Sequence, residues 1–174
     1  QVWLTLGVGA IGFGGMFSVY AYLASTAQAV TGVPAATLPM IFAVFGIGMM
    51  AGNIIGGWAA DRFGMKAAGG LLLWSAFALS LYALAAPRLE TLLVVIVMIG
   101  VGGGLGSILQ TRLMDVAGEA QTLAAALNHS AFNFANALGP LLGGMAIAAG
   151  WGWTSTGYIG MGLALGGFAI WGIA

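Results

Sequence analysis

Hydrophobic residues run through this chain in six long stretches, at about 3 to 24, 37 to 60, 67 to 86, 91 to 110, 121 to 148 and 154 to 173. Each is close to or above the roughly 20 apolar residues that cross a hydrocarbon core of about 30 Å as a helix. Polar residues concentrate in the short breaks between them. Asp61, Arg62 and Lys66 share one break, Arg88 and Glu90 the next, and Arg112, Asp115 and Glu119 a third. No ionised side chain has to lie deep inside a stretch. The pattern predicts an all-α membrane protein of six transmembrane helices.

Composition strengthens that reading. Of 174 residues, 61% are hydrophobic and 5% charged, with a mean hydropathy of +1.06, whereas a soluble domain carries about 25% charged residues. Four basic and four acidic side chains could not coat a soluble fold of this length. The formal net charge is zero, which removes the clustered Lys and Arg that nucleic acid requires. With no cysteine, disulfides, thiolate metal sites and cysteine nucleophiles are excluded together. The chain begins at Gln1 with no signal-peptide pattern ahead of the first stretch and ends while still apolar, so it reads as an excerpt of a longer protein.

Charge also orients the spans. Arg62, Lys66 and Arg112 fall on one side against Arg88 on the other, so the positive-inside tendency predicts that both termini of the segment are cytoplasmic. Trp3 and Trp58 then sit at cytoplasmic edges, and Trp151 and Trp153 in the last external turn, where indoles favour the interface. Trp74 lies inside a span and has no such explanation.

Local signals mark turns and packing. The first helix is expected to run on to about Thr31, with Gly32 as a left-handed cap and Pro34 opening the next helix. Pro39 lies in the first turns of the second helix, and Pro140 lies deep in the fifth, where a kink is expected. Thirty-one glycines suit helices in close backbone contact, and Gly48, Gly52 and Gly56 recur every four residues as a packing ridge. The run Gly100, Gly102, Gly103, Gly104 and Gly106 allows either packing or a flexible point beside a solute path.

The most specific string joins the second and third stretches: Gly56-Gly57-Trp58-Ala59-Ala60-Asp61-Arg62-Phe63-Gly64-Met65-Lys66. It resembles the signature loop of the major facilitator superfamily, with matches at Gly57, Asp61, Arg62, Gly64 and Lys66 and a departure at Met65, where a basic residue is usual. The chemistry is reasonable without the family. Asp61 can accept amide hydrogen bonds from a neighbouring helix, Gly64 permits a sharp reversal, and Arg62 and Lys66 can pair with carboxylates or lipid phosphates. The strings Gly12 to Tyr20, Phe45 to Asn53, Leu109 to Arg112 and Ala131 to Gly139 resemble the drug and sugar efflux branch, of the bacterial arabinose-efflux and chloramphenicol-resistance type.

That resemblance implies half of a twelve-helix fold, built from two inverted three-helix repeats at about 1–86 and 91–174. The degenerate Met65 and the course of the chain favour the carboxy-terminal half, with the amino-terminal half outside this chain. It further implies proton-coupled efflux by alternating access in a cell inner membrane, with a small drug-like or sugar-like solute, the bilayer, the other half and protons as partners. The first and fourth helices should line the central cavity. Candidates there are Phe13, Met16, Phe17 and Tyr20, on one helical face, with Ser107 and Gln110 on the fourth helix.

The fifth stretch is the most polar, with Asn128, His129, Ser130, Asn133 and Asn136. His129, Asn133, Asn136 and Pro140 recur at intervals of four, three and four, which makes one stripe that must face protein or a wet cavity. His129 would lie roughly 12 Å from the helix start at Gln121, and an ionisable group at depth is a candidate for proton relay or solute binding. No Asp or Glu lies inside a span, so the coupling carboxylate of a proton antiporter is expected elsewhere. Among other classes, an intramembrane protease lacks its Gly-x-Ser element at Ser107, a channel lacks a ring-forming acidic residue, and a scaffold or a half-protein acting as a dimer remains the alternative. No enzyme activity, metal or cofactor is expected.

Overall fold

The computed structural model describes residues 2–173, apart from the side chain of Glu119. Six helical stretches follow one another: α1 Val2–Thr31, α2 Ala35–Phe63, α3 Met65–Ala85, α4 Leu89–Val116, α5 Gln121–Trp151 and α6 Ser155–Gly172. The first five are long and apolar enough to cross a membrane. The sixth has 18 residues, near the lower bound for a span, and its many glycines dilute its hydropathy. No strand occurs among the described residues.

The turns follow local chemistry. Gly32 adopts φ 77° and ψ 22°, the left-handed cap expected of glycine, and Pro34 in an extended conformation precedes the first turn of α2. Gly64 alone separates α2 from α3, at φ 54° and ψ −137°, a region that strongly favours glycine. Helix α5 continues through Pro140 to Ala146 before a final turn that ends near Gly150. Tyr22 donates to the Pro140 carbonyl at 2.9 Å, which anchors α1 to that level of α5.

Packing has an internal symmetry. Helix α1 lies against α5 and α6, α4 lies against α2 and α3, and α3 meets α6 at the centre. Exchanging the first three helices with the last three leaves this neighbour pattern unchanged, and an odd number of crossings gives the two triplets opposite directions through the bilayer. The main seams repeat as well. Helix α2 sets Gly48, Gly52 and Gly56 against the α4 backbone, where a β-carbon on Gly48 would stand 2.5 Å from the Val97 carbonyl oxygen. At the symmetry-related seam Gly139 and Gly143 of α5 face Gly14 and Ser18 of α1. In lipid, where apolar burial gives helices little reason to associate, such close contact supplies the packing energy.

Side chains tie the ends together in an alternating way. At one end Thr31 donates to the Ala86 carbonyl at 2.6 Å and Tyr22 meets Trp153, ring to ring, at 6.3 Å. At the other, the Trp171 indole donates to the Met65 carbonyl at 2.7 Å. The break holding Asp61, Arg62 and Lys66 therefore shares an end with the α6 terminus. The α4 residues Arg112 and Asp115 lie at that same end, beside Gly64 and Met65.

Candidate functional site

Burial differs sharply between helices. The most apolar windows of α1 and α4 are 61% buried, but those of α2 and α5 are 22% and 28%. Helices α1 and α4 form the inside of the bundle, and α4 tightens partway across into a 3-10 turn over Gly102–Gly104. An open cavity of about 380 Å³ lies at this level, walled by α1, α2, α4 and α5.

One wall is aromatic. The rings of Phe13 and Phe132 stand 4.7 Å apart, and Gly106 leaves room for both, since a β-carbon there would meet Phe132 at 3.3 Å. A polar ladder adjoins this wall. Ser107 of α4 donates to the Asn53 side-chain oxygen of α2 at 3.2 Å, and Asn128 of α5 donates to the Gln110 side-chain oxygen of α4. Asn128 is 2% exposed, and without Gln110 its amide would lose that partner inside the protein. Met49, Gly103 and His129 complete the lining. Among the described residues the lining has no Lys, Arg, Asp or Glu, and it holds the imidazole of His129. An apolar pocket with a few convergent neutral hydrogen-bonding groups is suited to an amphipathic organic solute.

Of the sequence candidates, Phe13, Ser107, Gln110 and His129 come together here. Met16 lies in the core with 6% exposure, Phe17 packs against that core, and Tyr20 rests on α2 with ring centroids 5.5 Å from Phe42 and 5.1 Å from Phe45. Asn133 and Asn136 are exposed and are absent from this cavity's lining. The stripe read along α5 thus divides, with Asn128 rather than Asn133 directed to α4. Asn53, Met49 and Phe132 belong to the wall although sequence reasoning did not place them there. Asn53 could have been found as the one amide in α2, a residue type that is costly to leave in lipid.

The glycine run of α4 divides too. Gly100 and Gly104 make backbone contact with α2, while Gly103 and Gly106 face the cavity. Where α2 turns into α3, Asp61 at the end of α2 and Lys66 at the start of α3 are exposed and make no ion pair or hydrogen bond among the described residues. The Arg62 guanidinium lies 6.0 Å from the Phe63 ring centroid.

The profile of the Major Facilitator Superfamily matches residues 4–174. Over 145 residues, 83% of this chain, the sequence is 34% identical to the inner membrane transport protein YdhP of Escherichia coli (strain K12). It is 33% identical over 141 residues, 78% of the chain, to the uncharacterized MFS-type transporter YtbD of Bacillus subtilis (strain 168). A shorter match, 46% identical over 57 residues or 32% of the chain, is to the probable galactarate/D-glucarate transporter GudP of Pseudomonas putida, of which it covers 12%. The matched stretches span 37% of YdhP and 36% of YtbD, so the chain accounts for well under half of those relatives. With an all-helical bundle, spans of membrane length and a match over nearly its whole length, this chain belongs to the Major Facilitator Superfamily and is a multi-pass membrane segment.

Proposed function

We infer that this chain is the carboxy-terminal six-helix half of a secondary transporter that exports a small, neutral or amphipathic solute by alternating access. The cavity lined by the Phe13–Phe132 pair and the Asn53–Ser107, Gln110–Asn128 ladder carries this reading, because it offers apolar area and neutral hydrogen bonds in one place. Its lack of cationic lining favours such a solute over a dicarboxylate of the kind in GudP's name.

The open faces of α2 and α5 support a missing partner half. Asn133, Asn136 and Ser130 are exposed on α5, and amides left in hydrocarbon are costly. Six further helices laid against α2 and α5 would cover these groups or enclose them in a wet central path, to which Phe17 and Tyr20 of α1 would also lie adjacent. The family's loop residues Gly57, Asp61, Arg62, Gly64 and Lys66 would then make contacts that change between states. Three basic residues at that end against Arg88 at the other support cytoplasmic termini in an inner membrane.

Proton coupling fits export, and its carboxylate is assigned to the other half because no Asp or Glu among the described residues lines this cavity. The test is transport by the full-length protein in liposomes. Solute counterflow without a gradient, accelerated by an imposed pH gradient, is the expected result. Counterflow that ignores the pH gradient would remove proton coupling, and accumulation that follows the gradient inward would reverse the direction.

A further inference from the structure

A second hollow, about 510 Å³, lies on the far side of α2 from the cavity. Its walls are Ile55, Ala59 and Phe63 of α2 and Ala67, Gly70, Leu71 and Trp74 of α3, and its floor comes from α4. The polar surface is almost nil, because the Trp74 indole nitrogen is turned away to donate to the Met98 carbonyl at 2.9 Å. A solute binding here would find no hydrogen-bond partner. A hydrocarbon chain needs none.

Length and charge identify the occupant. From Ile55 to Phe63 the groove follows eight residues of helix, about 12 Å at 1.5 Å per residue, close to the roughly 15 Å depth of one leaflet. It opens at the end where α2 turns into α3. There the Arg62 guanidinium lies over the wall residue Phe63, and Lys66 directly precedes the wall residue Ala67. Asp61, Arg112 and Asp115 occupy the same end, and Arg62 and Lys66 are the two charged residues there that directly adjoin wall residues in the chain. We propose that this groove is a binding site for one anionic phospholipid of the adjacent leaflet, with an acyl chain between α2 and α3 and the phosphate held by Arg62 and Lys66.

Trp74 provides a built-in reporter for the full-length protein in vesicles of phosphatidylcholine containing phosphatidylglycerol, with one or the other brominated on its acyl chains. The Trp74 signal is the fluorescence difference from Trp74→Phe. Brominated phosphatidylglycerol should quench it at a lower mole fraction than brominated phosphatidylcholine. The double variant Arg62→Gln, Lys66→Gln should lose that preference, by about ten- to thirtyfold for two basic side chains. Gly70 has open space around it, so Gly70→Leu should fill the groove without a clash and abolish quenching by both lipids, with the melting temperature preserved. Equal quenching by the two lipids, or a preference that survives loss of both basic residues, would overturn the headgroup assignment. Quenching unchanged in Gly70→Leu, or absent in the wild type because protein covers the groove, would overturn the site.

Discussion

Two hollows flank α2 and α4, and they differ in chemistry although the same two helices build both. The one toward α1 and α5 contains Asn53, Ser107, Gln110, Asn128 and His129. The one toward α3 contains none of these and is lined by Ile55, Ala59, Leu71, Trp74 and Ile108 among others. Rotation about a helix explains the contrast. Residues 53 and 55 are two positions apart, about 200° around an α-helix, so an amide and an isoleucine almost adjacent in sequence face opposite solvents. One side of α2 must satisfy a polar solute or water, the other only hydrocarbon.

The backbone wall between the hollows is the point most sensitive to change. Gly104 meets Gly52 directly, and its β-carbon would intrude on the Gly52 carbonyl. Gly104→Val should separate α2 from α4, cost about 1 to 3 kcal/mol or more from overpacking, and deform both hollows together. Reduced yield and a lower melting temperature of the full-length protein check this; an undisturbed protein would show that α2 and α4 can part without cost, and the two hollows would lose their shared wall.

Next in size is the ladder on the polar side. Gln110→Leu strands the buried Asn128 amide, with an expected loss of about 1 to 3 kcal/mol and a fall in solute affinity. Adding Asn128→Leu should recover most of the stability but not the affinity. If the double variant transports normally, the ladder serves packing alone, and the polar hollow is no more a solute site than the apolar one.

A smaller effect is expected at His129. His129→Gln should weaken solute binding by less than about tenfold, as for loss of one side-chain contact among several, and leave the pH dependence of coupled transport in place. Measured across pH in the full-length protein, a flattened profile would instead move coupling into this half. The smallest effect on transport belongs to Gly70→Leu in the apolar hollow, which should leave solute affinity within about twofold, as for a surface change without clash. A large loss there would erase the distinction between the two sides.

The spans were legible because membrane length and charge exclusion act on each stretch separately. Gly32 and Gly64 were legible as turns for a similar reason, since their backbone geometry is a local demand. The ridge Gly48, Gly52 and Gly56 announced a contact but not its partner, which the structure identifies as Val97, Val101 and Gly104 of α4. The site was legible only in part. Ser107, Gln110 and His129 stand out by type and Phe13 by its place on a helical face, while Asn53 has no such mark, and only spacing groups Asn133 and Asn136 with His129. A 3.6-residue period groups residues on a face without stating which neighbour that face meets.

What the sequence by itself determined is therefore the solvent, the number of crossings and their breaks, because transfer of apolar segments and charges between water and lipid depends on each segment alone. Only the tertiary structure decided that α2 divides a polar hollow from an apolar one, that Asn128 pairs with Gln110, and that Met16 turns into the core. Those outcomes depend on the rotation and closeness of helices far apart in the chain. In lipid these are set by backbone contact at glycines and by polar groups that must find one another.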